Sequence, residues 1–375
     1  MEIIHLILGK ANPARMNGVN KVVHDLATQQ QQAGFAVEVW GFSANPVHDY
    51  PERTYTTRLF GASRNPFGIS ASWKQAIMSR KNTIVVQLHG GFVPRFYAAA
   101  RFLQQHQIPY LITPHGNYNW HALQRSRLRK KLYFNLFERN LLNGAGAIHA
   151  LGQSEIDGLQ SIFPNEKSVL IPYGFSALAN VTAGAPAEFI VGFCGRLDID
   201  HKGLDRLIEG FALFREKAPF AQLWIIGDGP HRQQLEKMVE QLALRQYVVF
   251  WGSQFGDEKV RLLSQCSVFV HASRYEGLPV AVLEAASLGI PCLVSEATNV
   301  GEAVRSFDAG YVIGQGTSPQ VAEGLSNLYQ QWQTDRLMSL RRNARRMVDE
   351  EFNWPRQLDL FNQLYRMIRG KSTLV

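Results

Sequence analysis

The stretch SRYEGLPVAVLEAASLG, residues 273–289, sets two carboxylates, Glu276 and Glu284, eight residues apart across a Gly-Leu-Pro join. A strand-like run, VFVHAS, ends at Ser273, so Glu276 falls in a strand-to-helix loop. Pro279 suits the first helical position, where its missing N–H would have no partner anyway. The N–H groups of Leu278, Val280 and Ala281 then point out of the helix start, an anion site suited to a phosphate. Glu284 lies about one and a half turns further on, roughly 8 Å along the axis. The two acids therefore flank a phosphate site instead of sharing one face. A nucleoside diphosphate sugar has this layout, and each carboxylate can accept hydrogen bonds from vicinal hydroxyls at one of its ends. The plain alternative is a surface loop and helix with two solvated acids.

A second strand-to-loop stretch is GFCGRLDIDHKGLDRLIEGF, residues 192–211. Arg196 and Lys202 flank its loop, and two fixed cations beside a diphosphate would neutralise charge on a leaving group. Two ordinary surface cations would look the same. Asp198 and Asp200 form a D-x-D that could hold a divalent metal on a diphosphate, but they lie between cations able to do that neutralising. No metal is therefore expected. His115, in PHGNYN after another strand, could donate a hydrogen bond to a sugar hydroxyl. His89 in QLHGG is its rival, and a structural histidine is the ordinary explanation of either. Gly18, in ARMNGVNKVV, allows close backbone approach at a helix start. No G-x-G-x-x-G follows either half's first strand, no Cys/His cluster has zinc spacing, and no G-x-S-x-G occurs.

Elements at regular intervals position these residues. Strand-like runs at 3–8, 36–42, 83–90, 110–116 and 146–151 alternate with helical patterns, and the rhythm repeats at 188–197, 220–229, 247–252, 266–273 and 290–296. That alternation predicts α/β architecture with two doubly wound, Rossmann-like parallel-sheet domains. The boundaries expected are a first domain over 1–175, a small-residue linker over 176–187 and a second domain over 188–352. A terminal amphipathic helix over 353–375 would cross back to the first domain. In such a tandem the working cleft lies between the domains, at the carboxyl ends of the strands.

At 375 residues the chain exceeds one ordinary core. Its 46% hydrophobic and 19% charged content excludes a disordered chain. No apolar run reaches the roughly 18 residues of a membrane span. The apolar start MEIIHLILGK lacks a basic n-region and reads as a buried strand, not a leader. Three scattered cysteines argue against a disulfide framework and for a reducing cytoplasm. The charge is uneven: residues 1–180 carry 18 Lys and Arg against 9 Asp and Glu, whereas 181–375 carry 21 against 22. The excess peaks at Arg125, Arg127, Arg129, Lys130 and Lys131, beside Leu128, Leu132, Tyr133, Phe134 and Phe137. A polyanion or an anionic membrane surface would suit such a patch, and so would plain solvent.

Taken in order, these residues resemble the retaining glycosyltransferase family 4, of the polysaccharide-assembling type. Glu276 and Glu284 match its E-x7-E signature. Gly195, Arg196, Lys202 and Gly203 match its GRL…KG loop, and IPYGF (171–175), IIGDGP (225–230), TPHG and NWPRQ match further segments. One departure is Asn17-Gly18, where the family has Gly-Gly; Asn17 could cap the helix instead. The resemblance implies the two-domain GT-B fold and a hexosyltransferase that keeps the anomeric configuration. Glu276 and His115 would meet the donor sugar and Glu284 the ribose. Arg196 and Lys202, with Gly18, Gly277, Leu278 and Val280, would hold the diphosphate without metal. UDP-glucose is the first donor expected, and a glycan or lipid-linked acceptor the partner; nucleic acid is not. The enzyme would be cytoplasmic, peripheral on the inner face of the plasma membrane. A sugar-nucleotide 2-epimerase of the same fold, or a non-catalytic donor-binding subunit, stays open as the alternative.

Overall fold

The structure is a computed structural model; it describes residues 1–10, 12, 18–50, 53–176, 188–334 and 336–372. Asn17 and most of the expected linker lie outside the described residues. The chain divides into two compact units, one built from Met1–Gly174 with the terminal segment from Trp354, the other from Phe175–Asn353.

The first unit holds a seven-stranded sheet. Its strands are β1 (Glu2–Leu8), β2 (Ala36–Ser43), β3 (Thr56–Gly61), β4 (Ile84–His89), β5 (Tyr110–Thr113), β6 (Ala147–Ala150) and β7 (Ser168–Leu170), in the order β3-β2-β1-β4-β5-β6-β7. All its pairings are parallel. The chain winds outward from β1 to one edge, then returns to build the other from β4. The switch point thus lies between β1 and β4, where open α/β sheets take their ligands.

Successive strand residues face opposite sides. Ile4, Leu6, Val86, Leu88, Ile112 and Ile148 enter one hydrophobic cluster. Their neighbours His5, Gln87, His89, Thr113 and His149 are buried on the other face. Register sets His5 opposite Gln87, and His89 opposite Thr113. The terminal helix, Trp354–Ser372, covers these polar rows: the Phe361 ring lies 4.9 Å from that of His149, and the Tyr365 hydroxyl donates to Gln87 Oε1 at 2.5 Å.

The second unit repeats the plan with six strands: β8 (Ile190–Cys194), β9 (Gln222–Ile226), β10 (Val248–Gly252), β11 (Val268–His271), β12 (Cys292–Ser295) and β13 (Gly310–Ile313). Their order is β10-β9-β8-β11-β12-β13, again all parallel. Here the switch point falls between β8 and β11. Apolar clusters cover both faces of this sheet, Val191, Phe193 and Val270 on one side, Ile190, Cys194 and Phe269 on the other. That double burial explains strands that read as unbroken apolar runs.

The basic segment departs from expectation in its apolar side. A helix over Arg127–Tyr133 runs through a π turn at Phe134–Glu138 into a helix over Arg139–Gly144. Phe134 is buried, and Tyr133 and Phe137 pack against Phe92, Tyr97 and Phe67, so the aromatic residues belong to the core. The exposed apolar residues are instead Leu128, Leu132 and Leu136, 84, 62 and 57% exposed and spaced by four. Arg125, Arg127, Arg129 and Lys131 are exposed around them. Lys130 is drawn inward, where its ammonium donates to the Ala122 carbonyl at 2.5 Å and lies over the Phe92 ring.

Candidate functional site

The richest chemistry of the second unit gathers at its switch point. After β8 the chain passes Gly195 and the exposed Arg196. Asp198 then caps a short helix, Ile199–Lys202, by accepting the His201 N–H at 3.2 Å. Gly203, at φ +65°, ends that turn in the left-handed region, and a Cβ there would strike the Ala272 carbonyl. The tight join aims Lys202 toward the end of β11. β11 ends at His271, and Ser273 and Glu276 follow in the loop. Arg274 staples the two loops together: its guanidinium forks onto Asp205 at 2.6 and 2.9 Å and also donates to the Ile199 carbonyl.

Glu276 is 7% exposed and its Oε1 accepts three bonds: Lys202 Nζ at 2.5 Å, His271 Nε2 at 2.9 Å and Ser273 Oγ at 2.9 Å. His201 Nε2 lies 3.6 Å from Oε2. Burial by itself would raise this carboxyl. Lys202, with His201 nearby and a hydrogen bond from His271, outweighs burial and holds it well below the ordinary carboxylate value. Glu276 is thus a fixed anion with one oxygen saturated and the other still able to accept. So low a pKa makes it a poor base but a steady counter-charge for a developing cation. The His271 ring donates through Nε2 and lies between the rings of Phe193 and Phe269. Burial lowers its pKa, so it is neutral.

Pro279 is extended, at φ −79° and ψ 91°, and serves as the N-cap, so the helix opens one residue later than the sequence predicts, at Val280. The first helical bond is made by Val282 to the Pro279 carbonyl at 2.9 Å, which leaves the N–H groups of Val280 and Ala281 ahead of it. Gly277 and Leu278 precede this start. The Asn299 amide, from a left-handed residue, donates to the carbonyls of Glu276 and Gly277 at 2.8 and 3.0 Å and sets the loop. Glu284 is buried further along the helix and pairs with Lys259 at 2.7 Å. Glu276 and Glu284 thus pair with different lysines, Lys202 and Lys259.

In the first unit, Gly18 opens the helix Gly18–Gln32, is exposed, and has open space where a Cβ would stand. His115 follows β5 in the left-handed region at φ +55° and is partly exposed. Glu155 sets that bend: its carboxyl accepts the Gly116 N–H at 2.5 Å. His89, the rival, is buried and hydrogen-bonds His115 Nε2 at 3.0 Å, so the two are consecutive members of one cluster.

Sequence reasoning missed His271, Ser273, Arg274, Asp205, Lys259 and Asn299. A polar residue ending an apolar strand, as His271 does in VFVH, was the one signal on offer.

Two family models divide the chain between them: Glycosyltransferase Family 4 matches residues 16–177, and Glycosyl transferases group 1 matches 180–347. Among curated relatives, WcaL of Escherichia coli, assigned provisionally as a colanic acid biosynthesis glycosyltransferase, is 28% identical over 160 residues, 41% of this chain and 39% of that protein. The alignments with the first curated relatives span from 39 to 62% of those proteins' length. Among solved structures, sucrose-phosphate synthase of Thermosynechococcus elongatus superposes at a TM-score of 0.79 with 21% identity, covering 99% of this chain and all of that one. Anabaena HepE, solved with UDP and glucose, reaches 0.73 at 16% identity and covers 98% of this chain and 99% of its own. At such identities the structures speak for the fold alone. The chain belongs to the group 1 glycosyltransferases of the family 4 type, with the GT-B fold.

Proposed function

We propose that this protein transfers a hexose, glucose first among candidates, from a UDP-sugar to a glycan or lipid-linked acceptor in polysaccharide assembly, with retention of anomeric configuration. The observation that carries this reading is the ionised Glu276 bound to Lys202 at the β8–β11 switch point. A sugar nucleotide needs a cation for its diphosphate and an anion near its anomeric carbon, within a few ångströms of each other. Lys202, Arg196 and the N–H groups at the start of the Val280 helix offer the first. Glu276 offers the second, its free oxygen accepting sugar hydroxyls while its charge offsets the oxocarbenium ion. Glu284, further along the helix, takes the ribose. His115, in the first unit, is proposed to recognise a sugar hydroxyl. Its low pKa suits Glu276 to electrostatic stabilisation and not to deprotonating the acceptor. The colanic acid role provisionally assigned to WcaL supports the pathway class, and the choice of UDP-glucose follows the family resemblance.

No metal enters this reading. Asp198 is occupied in capping a helix, and Arg196 and Lys202 can offset the diphosphate charge. Thermal-shift screening against UDP-, GDP- and ADP-sugars tests the donor. A ligand at 100 times its dissociation constant adds about 2.7 kcal/mol of stability. UDP-sugars should give the largest shift, in EDTA as in buffer. A shift that vanished in EDTA and returned with Mn²⁺ would overturn the metal-free reading. A preference for GDP- or ADP-sugars would overturn the donor.

A further inference from the structure

The first unit contains a hydrogen-bond chain that the donor chemistry above does not use. It begins at a backbone carbonyl, Ile171, which His149 Nε2 meets at 2.7 Å. His149 Nδ1 meets Thr113 Oγ1 at 2.9 Å, and Gln87 Nε2 donates to that same hydroxyl at 2.7 Å. Tyr365, from the terminal helix, donates to Gln87 Oε1 at 2.5 Å and accepts from Gln30 Nε2 at 3.1 Å. Gln30 Oε1 meets His5 Nε2 at 2.6 Å, His5 Nδ1 meets His89 Nε2 at 2.9 Å, and His89 Nδ1 meets His115 Nε2 at 3.0 Å. Every side chain in it is buried except His115, the last, which is partly exposed.

The direction of this chain follows from its first link. A carbonyl only accepts, so His149 carries its proton on Nε2 and its Nδ1 accepts. Burial drives His5 and His149 down to about 4, His115 to about 3 and His89 well below the usual histidine value, so each ring is neutral and holds one proton. Thr113 must then donate to His149, and Gln87 to Thr113. Gln87 Oε1 therefore accepts from Tyr365, and Tyr365 accepts from Gln30. The Gln30 carbonyl is left to take the proton of His5 Nε2. His5 Nδ1 in turn takes that of His89, and His89 Nδ1 that of His115. Eight links run one way. The Ile171 end can neither release nor take a proton, so the chain orients groups and does not conduct.

We infer that this chain locks His115 in its Nε2–H tautomer, leaves Nδ1 as an acceptor for a ligand hydroxyl, and makes Tyr365 and Gln30 positioning residues for sugar recognition. The donor role that the sequence suggests for His115 is thereby reversed: the sugar hydroxyl gives the hydrogen bond. The recognition half rests on the glycosyl-transfer reading, whereas the tautomer half does not. Tyr365→Phe cuts the chain in the middle. Gln87 then loses a donor, Gln30 loses its acceptor, and the Gln30 amide is free to turn its NH₂ toward His5. The three histidines beyond the cut can then reverse together, while His149, still anchored on Ile171, cannot.

Long-range ¹H–¹⁵N correlation spectra of histidine-labelled protein read each ring's tautomer. Wild type should show Nε2–H at His5, His89, His115 and His149. In Tyr365→Phe, the first three should gain Nδ1–H signal and His149 should not. Gln30→Met removes the same constraint from another helix and should do likewise, which decides the matter if the tyrosine variant does not fold. An Nδ1–H ring at His115 in wild type, or unchanged tautomers in both variants, would overturn the tautomer lock. With a donor in hand, Tyr365→Phe should lose about tenfold in kcat/KM while UDP, which lacks the transferred hexose, binds as before. Reversed tautomers with full activity would overturn the positioning role alone. A wild type inactive with every sugar nucleotide would count against the proposed function and leave the spectra to judge the lock.

Discussion

Glu276 and Glu284 look alike in the sequence, but each keeps different company. Glu276 gathers Lys202, His271 and Ser273 on one oxygen, whereas Glu284 holds Lys259. The first is therefore expected to act on the sugar and the second on the nucleoside. Glu276→Gln keeps an acceptor for His271 and Ser273 but removes the charge. It should lower kcat by about 10²–10³, with UDP bound as tightly as before or more so, because Lys202 is released toward the phosphates. Glu284→Ala should weaken UDP by roughly 1–3 kcal/mol through lost ribose hydrogen bonds. Calorimetry with UDP, beside transfer kinetics, separates the two; the opposite pattern would mean the ends are assigned backwards. The residues legible in the sequence share one property: each lies in a short motif that follows a strand. Several of their partners were not legible because they come from far along the chain. Arg274 reaches Asp205 and Ile199 across 69 and 75 residues, and Asn299 reaches back 23 to Glu276. Spacing rules carry no information about such contacts.

The strands divide the same way. Ten were readable as apolar runs, and the three that were not, β3, β7 and β13, are all at the edges of their sheets. An edge strand has one neighbour, so its residues stay half wet and need not be apolar. TTRLFG carries an arginine, SVL is three residues long, and GYVI has three of its four positions only partly buried. The basic helix shows a related limit. Its aromatic residues looked like the membrane side but serve the core, because the charge pattern gives no phase for a helix interrupted by a π turn. The stripe of Leu128, Leu132 and Leu136 among exposed arginines is the face left over. Leucines at one level with cations around them suit an anionic membrane interface, each cation adding about 1 kcal/mol. Among the described residues no helix is long and apolar enough to cross a membrane. In liposome flotation, wild type should rise with anionic vesicles at low salt and release at high salt. Leu128/Leu132/Leu136→Ser should lose flotation while still binding UDP, and Arg127/Arg129/Lys131→Ser should do the same. If the leucine variant floats as well as wild type, the stripe has no part in attachment. If wild type itself stays down, the membrane has no part in this protein's placement.

At the scale of the whole molecule, stability carries a pH signature set by what the first unit buries. His5, His89, His115 and His149 have their pKa values lowered by burial, so they are neutral in the fold and charged in the unfolded chain between roughly pH 4 and 6.5. In that window the unfolded chain binds more protons through them, and their contribution is lost as pH falls. Two carboxyls oppose this. Burial raises Glu138 and Glu155 to about 7 against their hydrogen bonds, from Phe92 and Tyr118 for the first, from Leu151 and Gly116 for the second. Their protonated forms favour the fold below about 4.5, and that benefit fades as pH rises through 7. The lowered histidines outnumber the two raised carboxyls, which leaves a net loss on acidification. Far-UV circular dichroism should show unfolding begin below pH 6.5. Glu138→Gln isolates the opposing part. The glutamine carbonyl can keep the bonds from the Phe92 N–H at 2.8 Å and the Tyr118 hydroxyl at 2.5 Å, and its amide takes the place of Oε2, which has no hydrogen-bond partner among the described residues. Glutamine mimics the neutral acid at every pH. The variant should therefore match wild type near pH 4.5 and exceed it at pH 8, where the wild-type carboxyl is ionised in the core. Its acid unfolding should also be steeper, since one of the two opposing groups is gone. Equal stability differences at pH 4.5 and pH 8, measured by denaturant melts, would mean that Glu138 does not titrate near 7.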